Sequence, residues 1–335
     1  MLTAKLTSFF LLSSLALACS DKDVTLAAPD PGDGEVTPEP TVDPAAQVAR
    51  GQYLVDHVAA CSDCHTPRNA MGAPITAEYL SGALCFVQLE NGSCLNARNL
   101  TNHETGLMNR SDDEIKRMIR DGVRPAATGE EALFPVMPYY VFHNINDPDL
   151  DAIVAYLRTV PAVDKAIPRR GVEFDLPGPA TPLDASLIPQ PLANYPEQAA
   201  ATRGRYLAGQ VGICLECHTK HIMQTPTVLD YAGLFAGGEE YAVGLPTVPV
   251  SKNLTSDMET GLGTWTVEEV VKVLKEGSDK QGDGICPPMP VGPMGAFGDL
   301  TAEDALDIAH YVKSLPPKVN MIADVCTFPP GPPPQ

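Results

Sequence analysis

Cys61-Ser62-Asp63-Cys64-His65 and Cys214-Leu215-Glu216-Cys217-His218 place the pentapeptide Cys-x-x-Cys-His twice in one chain. On a helical turn, cysteines at i and i+3 share a face, so both sulfurs can add to the two vinyl groups of one porphyrin. The histidine follows on the same turn and brings its imidazole to the iron as proximal ligand. A bare Cys-x-x-Cys also suits half a zinc site or a thioredoxin-like redox pair, but neither needs the adjacent histidine. Cysteine pair and histidine together are the attachment signature of c-type haem. The pattern predicts two covalently bound haem c groups, held by Cys61, Cys64, Cys214 and Cys217, with His65 and His218 on the irons.

Outward from the motifs, the chain repeats itself at an offset of about 153 residues, a self-similarity of whole domains. Arg50-Gly51-Gln52-Tyr53-Leu54 answers to Arg203-Gly204-Arg205-Tyr206-Leu207, and Asn99-Leu100-Thr101 to Asn253-Leu254-Thr255. Asp149 to Leu157 answers to the stretch from Glu303 to Val312. Each half reads as three helices: one running into the motif, one after a Thr-Gly-Leu segment, and a closing one. Ser111 with Glu114 and Thr266 with Glu269 form capping boxes that start the middle helices. Ile115, Met118 and Ile119 then recur at helical spacing, as do Val270, Val271 and Leu274. Asp147-Pro148 and Thr301 open the closing helices. Strand signals are weak, so the expected fold is all-α: two tandem haem domains with long loops, at 47–160 and 198–326.

A length of 335 residues suits two domains. The net charge of −19 argues against nucleic acid and favours a basic redox partner. Residues 1–18 read as an export signal, with Lys5 ahead of an apolar run from Phe9 to Leu17 that is too short to span a bilayer. Ala16-Leu17-Ala18-Cys19 resembles a bacterial lipobox, which implies a lipid anchor on Cys19; the other reading is a plain cleaved signal. Residues 19–46 are acidic and Pro-rich, a tether reaching about 80 Å when extended. A Pro-rich linker is expected at 161–197 and a Pro-rich tail at 327–335. Haem and lipid leave Cys85, Cys94, Cys286 and Cys326, an even number that suggests two disulfides in an oxidising compartment. Cys85 and Cys94 bracket a turn-favouring sequence, Asn91-Gly92, and read as a local pair; Cys286 and Cys326 would pin the tail. The alternative for any of the four is a small buried hydrophobe.

With these residues in view, the chain resembles the class I diheme c-type cytochromes, in particular the cytochrome c subunits that accompany membrane-bound alcohol and sugar-acid dehydrogenases. The resemblance rests on Cys64-His65-Thr66-Pro67-Arg68, on Met137-Pro138-Tyr139-Tyr140, and on Asn253-Leu254-Thr255 through Trp265. It implies two tandem class I cytochrome c domains. It also implies that Gly51 and Gly204 are where the first helix crosses the last, near Tyr156 and Tyr311, and that Asn99, Asn253 and Trp265 lie near haem propionates. Arg110 stands where the second half has Trp265. An electron-transfer haem needs a second strong iron ligand, and methionine is the expected one. Met137 sits at the family position; in the second half Met289 shares the Met-Pro dipeptide, with Met294 as the competing choice. His57, His103, His143, His221 and His310 read as solvated or structural.

The function expected is a diheme cytochrome in the periplasm or cell envelope that passes single electrons between redox partners and makes no substrate bond of its own. Its rivals are the electron-accepting subunit of a dehydrogenase complex, and a diheme enzyme of the peroxidase or thiosulfate-oxidising type with one open iron.

Overall fold

The structure is a computed structural model and describes residues 43–69, 72–88, 94–168, 178–222, 229–241 and 247–323. In the first half the chain forms α1 (Pro44–Tyr53), α2 (Cys61–His65), β1 (Ala83–Gln88), β2 (Cys94–Ala97), α3 (Asp112–Arg120), β3 (Val123–Pro125), β4 (Glu130–Ala132), α4 (Tyr139–Phe142) and α5 (Asp147–Leu157). The second half follows with α6 (Gln198–Tyr206), α7 (Cys214–Cys217), α8 (Val267–Glu276) and α9 (Ala302–Lys313). The export signal, Cys19, the tether as far as residue 42, the Asn91-Gly92 turn, Cys326 and the tail lie outside the described residues.

The helices start where short polar side chains can satisfy their first N–H groups. Asp43 accepts from Ala45 N at α1, and Pro44 supplies a residue that needs no partner. Ser111 and Thr266 cap α3 and α8, and Glu114 and Glu269 reach back to complete both boxes. Ile115 on α3 and Val270 and Leu274 on α8 are the residues these helices bury. α1 and α6 each run on into a π-helical turn, Leu54–Val58 and Leu207–Val211, that inserts buried side chains just ahead of the motif.

The first and last helices of each half touch through glycine. A Cβ built on Gly51 would overlap the carbonyl of Ala152 and stand 2.9 Å from Tyr156 Cβ. On Gly204 it would overlap the carbonyl of Asp307 and stand 2.8 Å from Tyr311 Cβ. Only a residue without Cβ allows backbones this close. Beside each crossing an arginine fork closes on a buried carboxylate: Arg50 on Asp149 at 2.8 and 3.0 Å, and Arg203 on Asp307 at 2.6 and 2.8 Å.

The all-α expectation is corrected by two small antiparallel sheets in the first half, β1 with β2 and β3 with β4. The first pairs Ala83 with Ala97 and Gln88 with Cys94, and is bridged by the Cys85–Cys94 disulfide with its Cα atoms 4.6 Å apart. Its pattern was hard to read because Leu84 and Phe86 face outward, 61% and 41% exposed, so polarity does not alternate along the strand. The second ladder is three residues per strand, below the length at which a period of two can be seen. It is carried by the directly opposed ion pair of Arg124 with Glu131.

Nor are the halves plainly two tandem domains, since one hydrophobic cluster runs through both. The helix starts are also exchanged. Tyr53 of α1 donates to Asp304 at the start of α9 (2.5 Å), and its repeat counterpart Tyr206 donates to Asp149 at the start of α5 (2.7 Å). Each half thus offers the other the same contact, the pattern of a two-fold interface inside one chain. The Pro-rich stretch between them contributes core: Leu183 and Ile188 are buried, and Ile188 lies against Gly209.

Candidate functional site

A cavity of about 2610 Å³ holds both Cys-x-x-Cys-His motifs on its walls. Small-molecule sites run to roughly 300–1,000 Å³, so the space suits more than one large ligand. Cys61, Cys64, Cys214 and Cys217 are free thiols. Burial pushes Cys61, Cys64 and Cys214 up to about 12 and raises Cys217 as well. Among the described residues no cluster of three or more His, Cys, Asp or Glu is placed to hold a metal. The cysteine pairs therefore fit covalent tethering better than zinc or disulfide chemistry.

The histidines are held identically. His65 Nδ1 lies 2.7 Å from the carbonyl oxygen of Arg98, and His218 Nδ1 lies 2.7 Å from that of Lys252. A carbonyl only accepts, so Nδ1 carries the proton and Nε2 is left as the basic nitrogen. Burial also lowers both imidazoles below their ordinary value, with the carbonyl bond opposing it, and this favours the neutral ring a metal needs. Such an outer hydrogen bond fixes ring orientation and tautomer at a metal-binding histidine. Sequence reasoning did not identify these carbonyls. The available signal was a basic residue directly before Asn-Leu-Thr in both halves, Arg98 and Lys252.

Met137 and Met289 both line the cavity and pack against the core. Their loops are alike: Met137 N donates to Phe134 O and Met289 N to Cys286 O, both at 3.2 Å, and two residues on a backbone N–H returns to the methionine carbonyl. Met294 also lines the cavity but is 95% exposed and is not packed against the core. Cys286 is disulfide-bonded, which ties the loop before Met289.

Asn99 and Asn253 line the cavity, but their side chains hold loops. Asn99 Nδ2 donates to Thr105 Oγ1 and Val163 O, while Oδ1 accepts from Thr101 N; Asn253 does the same with Thr260, Lys318 and Thr255. Arg110 and Trp265 occupy equivalent turns on the wall, their N–H groups donating to Leu107 O and Leu262 O at 3.0 Å. Lys280 stacks 5.1 Å from the Trp265 ring centroid. Of the remaining histidines, His57 reaches Ala296 O and His310 reaches Tyr195. His221 lies between Glu239 at 3.2 Å and Glu216 at 3.8 Å, a half-buried cluster that sequence reasoning passed over.

Residues 48–161 match the family model described as Cytochrome c. The chain is 28% identical over 81% of its length to a nicotinate dehydrogenase subunit from Pseudomonas putida, of which it covers 21%. It is 27% identical over 81% of its length to the gluconate 2-dehydrogenase cytochrome c subunit of Pantoea cypripedii, of which it covers 60%. With the fructose dehydrogenase cytochrome subunit of Gluconobacter japonicus it shares 39% identity over 34% of its length and 22% of the relative's. The chain thus spans three-fifths of one of these relatives and about a fifth of the other two. No helix among the described residues is long and apolar enough to cross a membrane. The motif, the carbonyl-held histidine and the family match together make residues 48–161 a cytochrome c domain, with the covalent haem c that such a domain carries.

Proposed function

We propose that the chain is a diheme c-type cytochrome that carries single electrons between protein partners of the cell envelope. One observation carries the reading: a cysteine pair, a histidine oriented by a backbone carbonyl, and a methionine from a Met-Pro loop recur in both halves on the walls of one cavity. Each bound haem supplies a reversible one-electron iron couple. In this reading Cys61 and Cys64 tether the first haem, and Cys214 and Cys217 the second. His65 and His218 offer Nε2 to the irons, while the carbonyls of Arg98 and Lys252 keep the other ring nitrogens protonated. Met137 and Met289 would each hold a bound haem iron from the cavity wall, and a thioether ligand there would favour electron transfer over oxygen or peroxide chemistry. Met289 and Met294 both line the cavity, and the packing of Met289 against the core, set against the 95% exposure of Met294, supports Met289.

The partner we infer is a dehydrogenase, because the relatives matched over most of this chain are named as subunits of such enzymes. Export and anchoring through Cys19 rest on the signal-like sequence alone. A pyridine haemochrome assay is the direct test. Two haems per polypeptide, surviving acid-acetone extraction, are expected; one haem per polypeptide would refute the diheme reading.

A further inference from the structure

The two halves share a cavity but not its charge. Among the described residues, the first half lines it with four arginines, Arg68, Arg98, Arg110 and Arg124, against one carboxylate, Asp63. Asp63 answers Arg68 at 2.9 Å, and Glu131, off the wall, answers Arg124. Arg98 donates to the carbonyls of Ile167 and Pro168, and Arg110 stands half-buried ahead of the Ser111 cap. The second half reverses the balance with Glu216, Glu239, Glu240, Asp279 and Asp283. Among the described residues its cations on the wall are Lys252, which donates to Ala323 O, and the exposed Lys280 on Trp265. Five carboxylates thus stand against two lysines on this part of the wall among the described residues.

A nearby positive charge disfavours the ferric form, which carries one more positive charge, and a negative one favours it. Arg98, Arg110, Arg124, Glu239 and Asp279 are half-buried and act through an effective dielectric below that of water, whereas Arg68, Glu240 and Asp283 are exposed and act more weakly. Resting on the diheme reading above, the geometry points to an ordered pair: the first-half site holds the high-potential couple and the second-half site the low-potential one, so electrons enter at His218 and leave from His65. Internal transfer oxidises the second-half iron from ferrous to ferric and reduces the first-half iron from ferric to ferrous. One electron moves, with no bond or proton exchanged. A one-electron redox protein donates at the second half, and another accepts at the first. Arg110 is the positioning charge on which the order turns, because its counterpart Trp265 is neutral.

Spectroelectrochemical titration of the full chain with both haems attached tests the order. Two one-electron couples are expected, separated by at least about 59 mV, which is tenfold in the electron equilibrium between the sites. Arg110→Gln should lower the upper couple, and Arg110→Lys, which keeps the charge, should leave it in place. Glu240→Gln combined with Asp283→Asn should raise the lower couple. Coincident couples, an Arg110→Gln shift confined to the lower couple, or a gap unchanged by these variants would overturn the order. If haem stoichiometry is two in that case, the diheme reading stands and only the order falls; one haem per chain removes both.

Discussion

Gly51→Ala sets two effects of known size against each other. Alanine is about 1 kcal/mol better than glycine inside a helix, so intrinsic propensity alone makes the variant more stable. At the crossing, however, the new methyl would overlap the Ala152 carbonyl and stand 2.9 Å from Tyr156 Cβ, where carbon atoms normally rest about 3.5–4.0 Å apart. The obstacle is backbone and cannot rotate away, so α1 and α5 must separate along the contact. Overpacking of this kind costs about 1–3 kcal/mol, and occasionally more. Because the obstacle is rigid, the upper part of that range applies and the net loss is about 1–2 kcal/mol. At roughly 2–4 °C per kcal/mol this lowers Tm by about 2–8 °C, measured by far-UV circular dichroism on the haem-loaded protein. Gly204→Ala should behave alike, because the Asp307 carbonyl and Tyr311 Cβ stand in the same relation. Gly178→Ala, with nothing within 4 Å, is the control and should change little. A Tm of Gly51→Ala at or above that of the parent would show that propensity wins and that the close approach does not hold the helices.

Three further outcomes follow from other parts of the molecule. Met137→Ala and Met289→Ala should each leave one haem reactive to carbon monoxide, whereas Met294→Ala, removing a side chain 95% exposed, should leave the spectrum of the reduced protein unchanged; the reverse pattern for 289 and 294 would move the ligand. Burial would raise the carboxyl of Asp149, but the fork from Arg50 and the hydroxyl of Tyr206 outweigh it and hold the group below the ordinary carboxylate value near 3.9. A depressed folded pKa gives stability that is present above that value and lost as pH falls through the folded one. Asp149→Asn should therefore cost about 1–2 kcal/mol at pH 7, discounted because Arg50 is partly exposed, and should flatten the loss of stability below about pH 4; an unchanged acid limb would refute this. Replacing Cys85 and Cys94 together by Ser removes a crosslink between residues nine apart, worth about 2–3 kcal/mol by loop closure. An unshifted urea midpoint would show that the β1–β2 ladder alone holds the hairpin.

What could be read directly from the sequence were the features set by neighbours along the chain. Cys-x-x-Cys-His is complete within one helical turn, the Ser111 and Thr266 boxes within four residues, and the Cys85–Cys94 pair across one hairpin. The repeat, together with the family resemblance, also led to the glycine crossings, because a residue lacking Cβ in matching places of two helices marks a close approach. Tertiary structure decided the rest, since each outcome depends on which distant backbone arrives at a given point. Local alternation along Ala83–Gln88 is hidden by the outward Leu84 and Phe86, and the strand exists because Cys94–Ala97 lies beside it. His65 and His218 could be named as ligand candidates, but the tautomer that leaves Nε2 available is imposed by carbonyls 33 and 34 residues away. Met289 and Met294 are five residues apart, and only the Met-Pro dipeptide separates them as text; both line the cavity, but folding packs Met289 against the core and leaves Met294 95% exposed. The reciprocal bonds of Tyr53 with Asp304 and Tyr206 with Asp149 span 251 and 57 residues, and they tie into one body two halves that the repeat alone presents as separate units.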